Sequence, residues 1–294
     1  MPGLSVAAVV SCWNGEKFLK RALASALAQT YTLAEVTVVD DGSTDGTPAV
    51  LEAFGSSVTV LRHPGRENRG QGASLNLAIR KTSSDLIAFL DHDDIWYPDK
   101  TTRQVEVFDN ERDTGLVYTN GHVISEDDRK LHPILAQGFA ETNRPESILL
   151  NCYIRTPSMV MVRRSLLDKV GSFSEDLLCP DHDMWVRMAE ATRLHYLDAK
   201  LTGYRQHQGQ LSLRRRMWED EFRLLDAACR RHSYSPAVRH RRKAVIRYRL
   251  GQYDHGAGRY VSSAFNFFLA FLHDPPRAAR RISRLGRQSP AGAP

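Results

Sequence analysis

Ile87-Ala88-Phe89-Leu90-Asp91-His92-Asp93-Asp94 is the stretch on which the reading of this chain turns. A short run of large apolar residues halted by polar punctuation fits a strand in the interior of a sheet. The acidic half then arrives at the strand's carboxyl end. Three aspartates within four residues repel one another, and a divalent cation with a phosphate-bearing substrate relieves that repulsion. The competing reading is a polar turn and a helix cap, with Pro98 opening the helix that follows.

Upstream, residues 4–10 form an apolar run that stops at Ser11-Cys12-Trp13-Asn14-Gly15. Phe18, Leu19, Leu23, Ala26 and Leu27 then recur at helical spacing, and residues 36–39 give a second buried strand. Strand, helix, strand in this order implies a right-handed crossover and a parallel sheet. Ligands of such sheets lie beyond the carboxyl ends of the strands, which places Asp41 and Asp94 on one rim. Asp41, in Asp40-Asp41-Gly42-Ser43-Thr44-Asp45, either caps a helix over 47–54 or accepts hydrogen bonds from a nucleobase or ribose. A third strand over 58–61 leads to an Arg-, Asn- and Gly-rich loop at 63–72, which is either a solvated connection or an approach to phosphate. A helix over 73–81 returns to the opening stretch.

Downstream, the pattern predicts a helix from Pro98 to about Asn110, a strand over 116–119 and a variable hairpin or loop over 121–145. A strand over 157–163 and a helix over 165–170 closed by Gly171 follow. Pro180-Asp181 marks a helix start, where the dipole favours an ionised Asp181. Cap and general base are both open for that residue. A strand over 194–201 leaves into Gly203-Tyr204-Arg205-Gln206-His207, a loop that concentrates Arg and His.

The 294 residues suit one large domain or a domain with an appendage, and 42% apolar with 25% charged residues is ordinary for a globular protein. Charge is unevenly placed: residues 1–213 carry 22 Lys and Arg against 28 Asp and Glu, a net of −6, and residues 214–294 carry 18 against 6, a net of +12. The basic part reads as a helical extension. Its Phe265, Phe267, Phe268 and Phe271 are expected in a core, its arginines, including Arg280, Arg281, Arg284 and Arg287, on an anionic membrane surface, and its end after Ser289 disordered. No recognition motif accompanies the charge, so no nucleic acid partner is expected. The N-terminus lacks the basic flank of a secretory signal, and no run of eighteen apolar residues exists. Cys12, Cys152, Cys179 and Cys229 have no zinc or redox spacing and read as free thiols in a reducing cytoplasm, so the expected location is cytoplasmic, peripheral on the membrane face.

Taken together, the segments over residues 4–213 resemble a family-2 glycosyltransferase. The pieces that carry the likeness are Ser11 to Asn14, Val38 to Thr47, Asn68-Arg69-Gly70 ahead of Leu75-Asn76, Phe89 to Lys100, Asp181 to Arg187 and Tyr204 to His207. Their order and spacing are more specific than any one of them. The resemblance implies an α/β GT-A fold, a Rossmann-like mixed, mostly parallel sheet flanked by helices over 1–213, with the basic helical extension at 214–294. It further implies metal-dependent, inverting transfer from a UDP- or dTDP-sugar to a hydroxyl of a polysaccharide, lipopolysaccharide or glycolipid acceptor.

Carried over residue by residue, the resemblance puts Ser11 and Asn14 on the nucleotide pocket and Asp41 on the base N–H. It puts Asp91 toward the ribose and Asp93 on Mn²⁺ or Mg²⁺. Asp181 becomes the base that deprotonates the acceptor, His207 a further metal or diphosphate contact, and Arg205 an aid to the leaving diphosphate. Two departures stand out. Leu75 precedes Asn76 where the family often has Arg, which leaves a phosphate or base contact to Arg69, and Pro180-Asp181 replaces a Glu-Asp pair, which keeps Asp183 as a rival base. The remaining alternatives are a catalytically silent nucleotide-sugar-binding protein and a nucleotidyltransferase. The latter would show a Gly-rich basic loop after the first strand, and residues 11–15 are not one.

Overall fold

The structure, a computed structural model, describes residues 3–277. Arg280, Arg281, Arg284, Arg287 and the tail after Ser289 lie outside the described residues. The chain forms two compact units, one from residues up to Ile148 with Cys152–Gln210, the other from Leu149–Asn151 with the residues from Leu211 onward.

The first unit begins as alternating strands and helices: β1 (Val6–Cys12), α1 (Leu19–Leu27), β2 (Glu35–Asp40), α2 (Thr47–Glu52), β3 (Thr59–Arg62), α3 (Gly70–Lys81) and β4 (Leu86–Asp91). β1 pairs in parallel with both β2 and β4, and β2 with β3. Residues 6–10 are completely buried because the sheet is covered on both faces, which is why this strand reads as a continuous apolar run. Leu19, Ala22, Leu23 and Ala26 of α1 pack on it, each large aliphatic chain worth about 1.5–3 kcal/mol of burial. Ser11 lies in register with Asp91 on one side and Val39 on the other, so the acidic ends of β2 and β4 share one rim.

The chain continues through β5 (Ile95–Trp96), α4 (Lys100–Asn110), β6 (Thr114–Ile124), β7 (Lys130–Pro133), α5 (Pro145–Leu150), β8 (Val160–Arg163), α6 (Arg164–Val170), α7 (Asp181–Ala191) and β9 (Arg193–Arg205). The sheet order is β3-β2-β1-β4-β8-β6-β9-β5, with β7 on β6. β8 runs antiparallel to β4 and β6, whereas β6 and β9 are parallel. The expected mixed α/β sheet flanked by helices is present.

Three boundaries differ from expectation. β6 runs on to Ile124 because its polar residues find buried partners: Thr119 Oγ1 lies 3.2 Å from Thr202 Oγ1, and the Asn120 amide bonds Leu135 at both N–H and C=O. α3 starts at Gly70, earlier than the apolar spacing implies, because Asp41 satisfies its first N–H groups. Residues 157–159 form a 3₁₀ turn ahead of β8, fixed by Ser158 N–H donating to the Thr156 hydroxyl oxygen at 3.1 Å.

In the second unit, α8 (Arg215–Arg231), α9 (Pro236–Gly256) and α10 (Tyr260–His273) surround a buried carboxylate. Asp254 accepts from Arg215 Nε (2.9 Å), Arg259 Nη2 (2.7 Å), Ser262 Oγ (2.6 Å) and Asn266 Nδ2 (3.1 Å). Here the structure overturns one expectation. Of the four phenylalanines assigned to a core, only Phe267 packs inward, against Tyr248. Phe265, Phe268 and Phe271 are 59%, 57% and 44% exposed, because α10 turns Ser263, Asn266 and Ala270 toward its neighbours instead. Among the described residues no helix is long and apolar enough to cross a membrane.

Candidate active site

β4 is an apolar strand until Asp91, where it leaves the sheet, and the following turn is closed by Asp94 N–H donating to Asp91 C=O at 3.1 Å. That turn gathers carboxylate oxygens of Asp91, Asp93 and Asp94 within 4.8 Å of one another. Burial alone would disfavour three charges so close, and each carboxylate answers differently.

Asp94 is the most deeply buried. Its Oδ1 accepts from Arg205 N–H (2.9 Å) and its Oδ2 from Thr156 Oγ1 (2.6 Å), so it supports the turn. Burial, followed by the Asp93 charge, pushes its pKa to about 7 against those hydrogen bonds. Asp91 is raised well above the usual carboxylate range by burial and by the charges of Asp94, Asp93 and Asp181. It accepts from Gln71 Nε2 at 3.0 Å and lies 3.1 Å from Thr156 Oγ1. A hydroxyl has one proton, so Thr156 donates to one of the two carboxylates while standing beside both. Asp93 goes the other way. Burial opposes its ionisation, but the His207 hydrogen bond and the charges of His92 and His207 outweigh it and hold its pKa below the usual value. His207 Nε2 lies 2.8 Å from Asp93 Oδ2.

This donor set, oxygens joined by one imidazole, fits a hard cation such as Mg²⁺ or Mn²⁺ and not a thiophilic metal. Asp93 and His207 are the members whose contacts with each other are those a cation would replace. Asp94 already accepts a hydrogen bond at each oxygen.

The other residues singled out from the sequence fall into two groups. Asp181, the first residue of α7, is only partly buried and sits close enough to Asp91 for its charge to load that carboxylate. Ser11 lies beside Asp91 in the sheet, and Asn14, at a positive φ of 52° that Asn tolerates, accepts from Thr44 N–H at 2.8 Å and so ties the loops after β1 and β2 together. Arg69 is half-exposed, 3.4 Å from Glu175. Two further residues are already engaged by the chain itself. Asp41 is buried, and its two oxygens accept from Arg69 N–H and Gly70 N–H at 2.8 Å each, so it caps α3. Arg205 is completely buried, and its guanidinium is taken up by Asp93 C=O (2.6 Å), Ser125 C=O (2.9 Å), Glu126 C=O (3.0 Å) and Asp128 (2.5 Å). It braces the loop under Asp93 from behind.

Sequence reasoning missed Phe18, Gln71 and Thr156. The Phe18 ring packs on His207 at a tilt of 47° with centroids 4.9 Å apart and takes the Arg205 guanidinium 4.9 Å from its centroid. Its helical spacing marked it only as a core position. Asp183, the rival base, is buried and pairs with Arg187 at 2.8 Å, with Arg187 also held by Val170 C=O and Ser172 C=O. The Leu75 departure is a core leucine, and Asn76 bonds both the N–H and C=O of Phe173, fixing the segment that leads to Asp181.

Comparison with known proteins agrees with this geometry. A glycosyltransferase of Rickettsia conorii, itself uncharacterized, is 31% identical over 213 residues, covering 70% of this chain and 34% of the relative. A second, from Rickettsia prowazekii, is 26% identical and covered over 65% of its length, so the chain spans about a third to two thirds of these curated relatives. Among solved structures, S. aureus TarS in complex with UDP-GlcNAc superposes with a TM-score of 0.64 at 18% identity, over 94% of this chain and 83% of that one. A Pyrobaculum calidifontis mannosyltransferase in complex with GDP-Man and Mn²⁺ gives 0.62 at 18%, over 98% and 81%. The expected GT-A architecture is therefore the observed one. The profile of Glycosyl transferase family 2 matches residues 7–171, more than half of the chain, and the protein belongs to that family.

Proposed function

We propose that the protein is a metal-dependent, inverting glycosyltransferase that moves a sugar from a UDP- or dTDP-sugar to a hydroxyl of a polysaccharide, lipopolysaccharide or glycolipid acceptor on the cytoplasmic side. The observation that carries this reading is the carboxylate group at the end of β4, with His207 on Asp93 and the Asp181 charge bearing on Asp91. The nucleotide sugar and the Mn²⁺ bound by the two solved neighbours support a nucleoside-diphosphate donor and a divalent ion.

Asp93 and His207 would hold Mn²⁺ or Mg²⁺, which when bound offsets the charge that develops on the leaving diphosphate. Asp91, steered by Gln71 and Thr156, faces the donor ribose. Ser11 and Asn14 line the nucleotide, and Arg69 meets donor anion at the rim. Asp41 contributes through the loop it caps, which presents Arg69 and Gly70. Asp181 accepts the proton of the acceptor hydroxyl as that oxygen attacks the anomeric carbon. One displacement inverts the centre. Arg205 acts as a positioning residue for Asp93.

The test is transfer and donor hydrolysis with Asp93→Ala across a Mn²⁺ titration, alongside nucleotide binding by calorimetry. Loss of metal-dependent turnover with a folded protein supports the reading. Near-normal metal-dependent turnover would overturn it.

A further inference from the structure

Helix α10 is turned inside out. Its buried face is Ser263, Asn266 and Ala270, with Ser263 Oγ donating to Gly251 C=O at 2.9 Å and Asn266 accepting from Arg247 Nη1 at 3.1 Å. The opposite face carries Val261, Phe265, Phe268 and Leu272, which are 57–87% exposed. Spacings of four, three and four residues place these side chains on a single stripe, about 16 Å long at the helical rise. An amphipathic helix normally buries such a stripe, and an unbroken apolar patch of this kind marks a surface that something covers.

The charge around it indicates what. Residues 214–277 carry 14 Lys and Arg against 6 Asp and Glu. Beside the C-terminal end of α10, the His240 ring stands 5.5 Å from that of His273, and Lys243 and Arg247 of α9 lie close enough to act on His273 electrostatically. Arg277 follows the helix and is exposed. Two copies of the chain docked through this stripe would bring two positively charged units together. A surface of anionic lipid brings opposite charge and an apolar interior at once.

We propose that α10 lies in the headgroup region of an anionic bilayer, with Phe265, Phe268 and Leu272 among the acyl chains and the basic groups at its C-terminal end, Lys243 and Arg277, at the level of the phosphates. The basic groups keep the place expected from the sequence, and Phe265 and Phe268 move from the expected core to the lipid. This placement is independent of the donor and metal assignments, since it uses none of their residues.

The experiment is sedimentation of the full chain with vesicles of phosphatidylcholine alone and with added phosphatidylglycerol. Binding is expected to the anionic vesicles and to be at least about tenfold weaker to the neutral ones. Phe265→Ser with Phe268→Ser and Leu272→Ser should lower anionic binding at least about tenfold while leaving the melting curve and donor hydrolysis unchanged. In the Phe268→Trp variant, indole fluorescence should shift to the blue on adding anionic vesicles. Three results would overturn the proposal: wild-type chain left in the supernatant, an indole emission that does not move, or a dimer in sedimentation velocity that the triple variant dissociates without any vesicle binding.

Discussion

His207 Nε2 lies 2.8 Å from Asp93 Oδ2, joining the end of β9 to the turn after β4 across 114 residues of chain. The contact puts an imidazole on the one carboxylate of the cluster whose pKa is depressed. The Phe18 ring packs against the imidazole at a tilt of 47°.

His207→Ala should therefore raise the Mn²⁺ concentration needed for half-maximal donor hydrolysis by at least about tenfold, the scale seen when a metal site loses an orienting or ligating group. Nucleotide affinity without metal should hardly change. A metal titration of hydrolysis checks this, and an unmoved midpoint would remove His207 from the site.

Asp181 and Asp183 share the first turn of α7 but differ in what they touch. Asp183 is buried on Arg187, whose remaining donors hold Val170 and Ser172, so it belongs to the packing of α7 on the preceding loop. Asp181→Asn should bind donor normally and lose about 10²–10⁴-fold in transfer, the range for a general base. Asp183→Asn should lower the melting temperature and leave a larger share of turnover per folded molecule. The reverse pattern, read by calorimetry and transfer assays side by side, would exchange the two roles.

Much of the sheet could be read in advance because β1 and β4 are buried on both faces and carry continuous apolar runs, and β2 is interrupted between its ends only by a buried Thr37. β6 could not be read to its end, since the buried partners of its Thr119 and Asn120 include Thr202 and Leu135, which the local pattern does not show. The same limit applies at the site. Asp93 and His207 are visible as residue types in a loop, but nothing in the sequence shows that Asp41 accepts from two backbone N–H groups or that Arg205 is held by backbone carbonyls and Asp128. Thr156 carries no signal, because its part in the cluster depends on β8 lying beside β4 in the sheet. α10 misled for a different reason. Its aromatic content implies burial, and only the pairing of Asn266 and Ser263 with α9 shows which face turns inward.

Gly72 of α3 faces the backbone of Ser174, and a Cβ there would fall on the Ser174 carbonyl oxygen. Backbone cannot give way as a flexible side chain can, so Gly72→Ala should destabilise by about 1–3 kcal/mol through overpacking. The same strain displaces the 173–175 segment that Asn76 anchors. Transfer should consequently fall in the variant even at temperatures where circular dichroism shows it folded. Unchanged stability in thermal melts would mean that α3 and this segment are not in contact as described.

Asp254 offers the clearest dependence on pH. Burial alone would raise its pKa, but hydrogen bonds from Arg215, Ser262 and Arg259 outweigh that and hold the carboxylate well below the usual range. A carboxyl that is more acidic folded than unfolded stabilises the fold fully above its unfolded pKa of about 3.9. That stability is lost as pH falls below about 4 toward the folded value. The partners Arg215 and Arg259 are partly exposed, so water relieves them when the carboxylate is removed, and Asp254→Asn should cost about 1–3 kcal/mol at neutral pH, less than a fully buried pair would. The variant should also lose part of the wild type's acid sensitivity. Urea unfolding followed from neutral pH down to about pH 2, below the ordinary carboxyl range, measures both effects. Parallel curves for wild type and variant over the acid limb would show that the carboxylate is not ionised within the three-helix cluster.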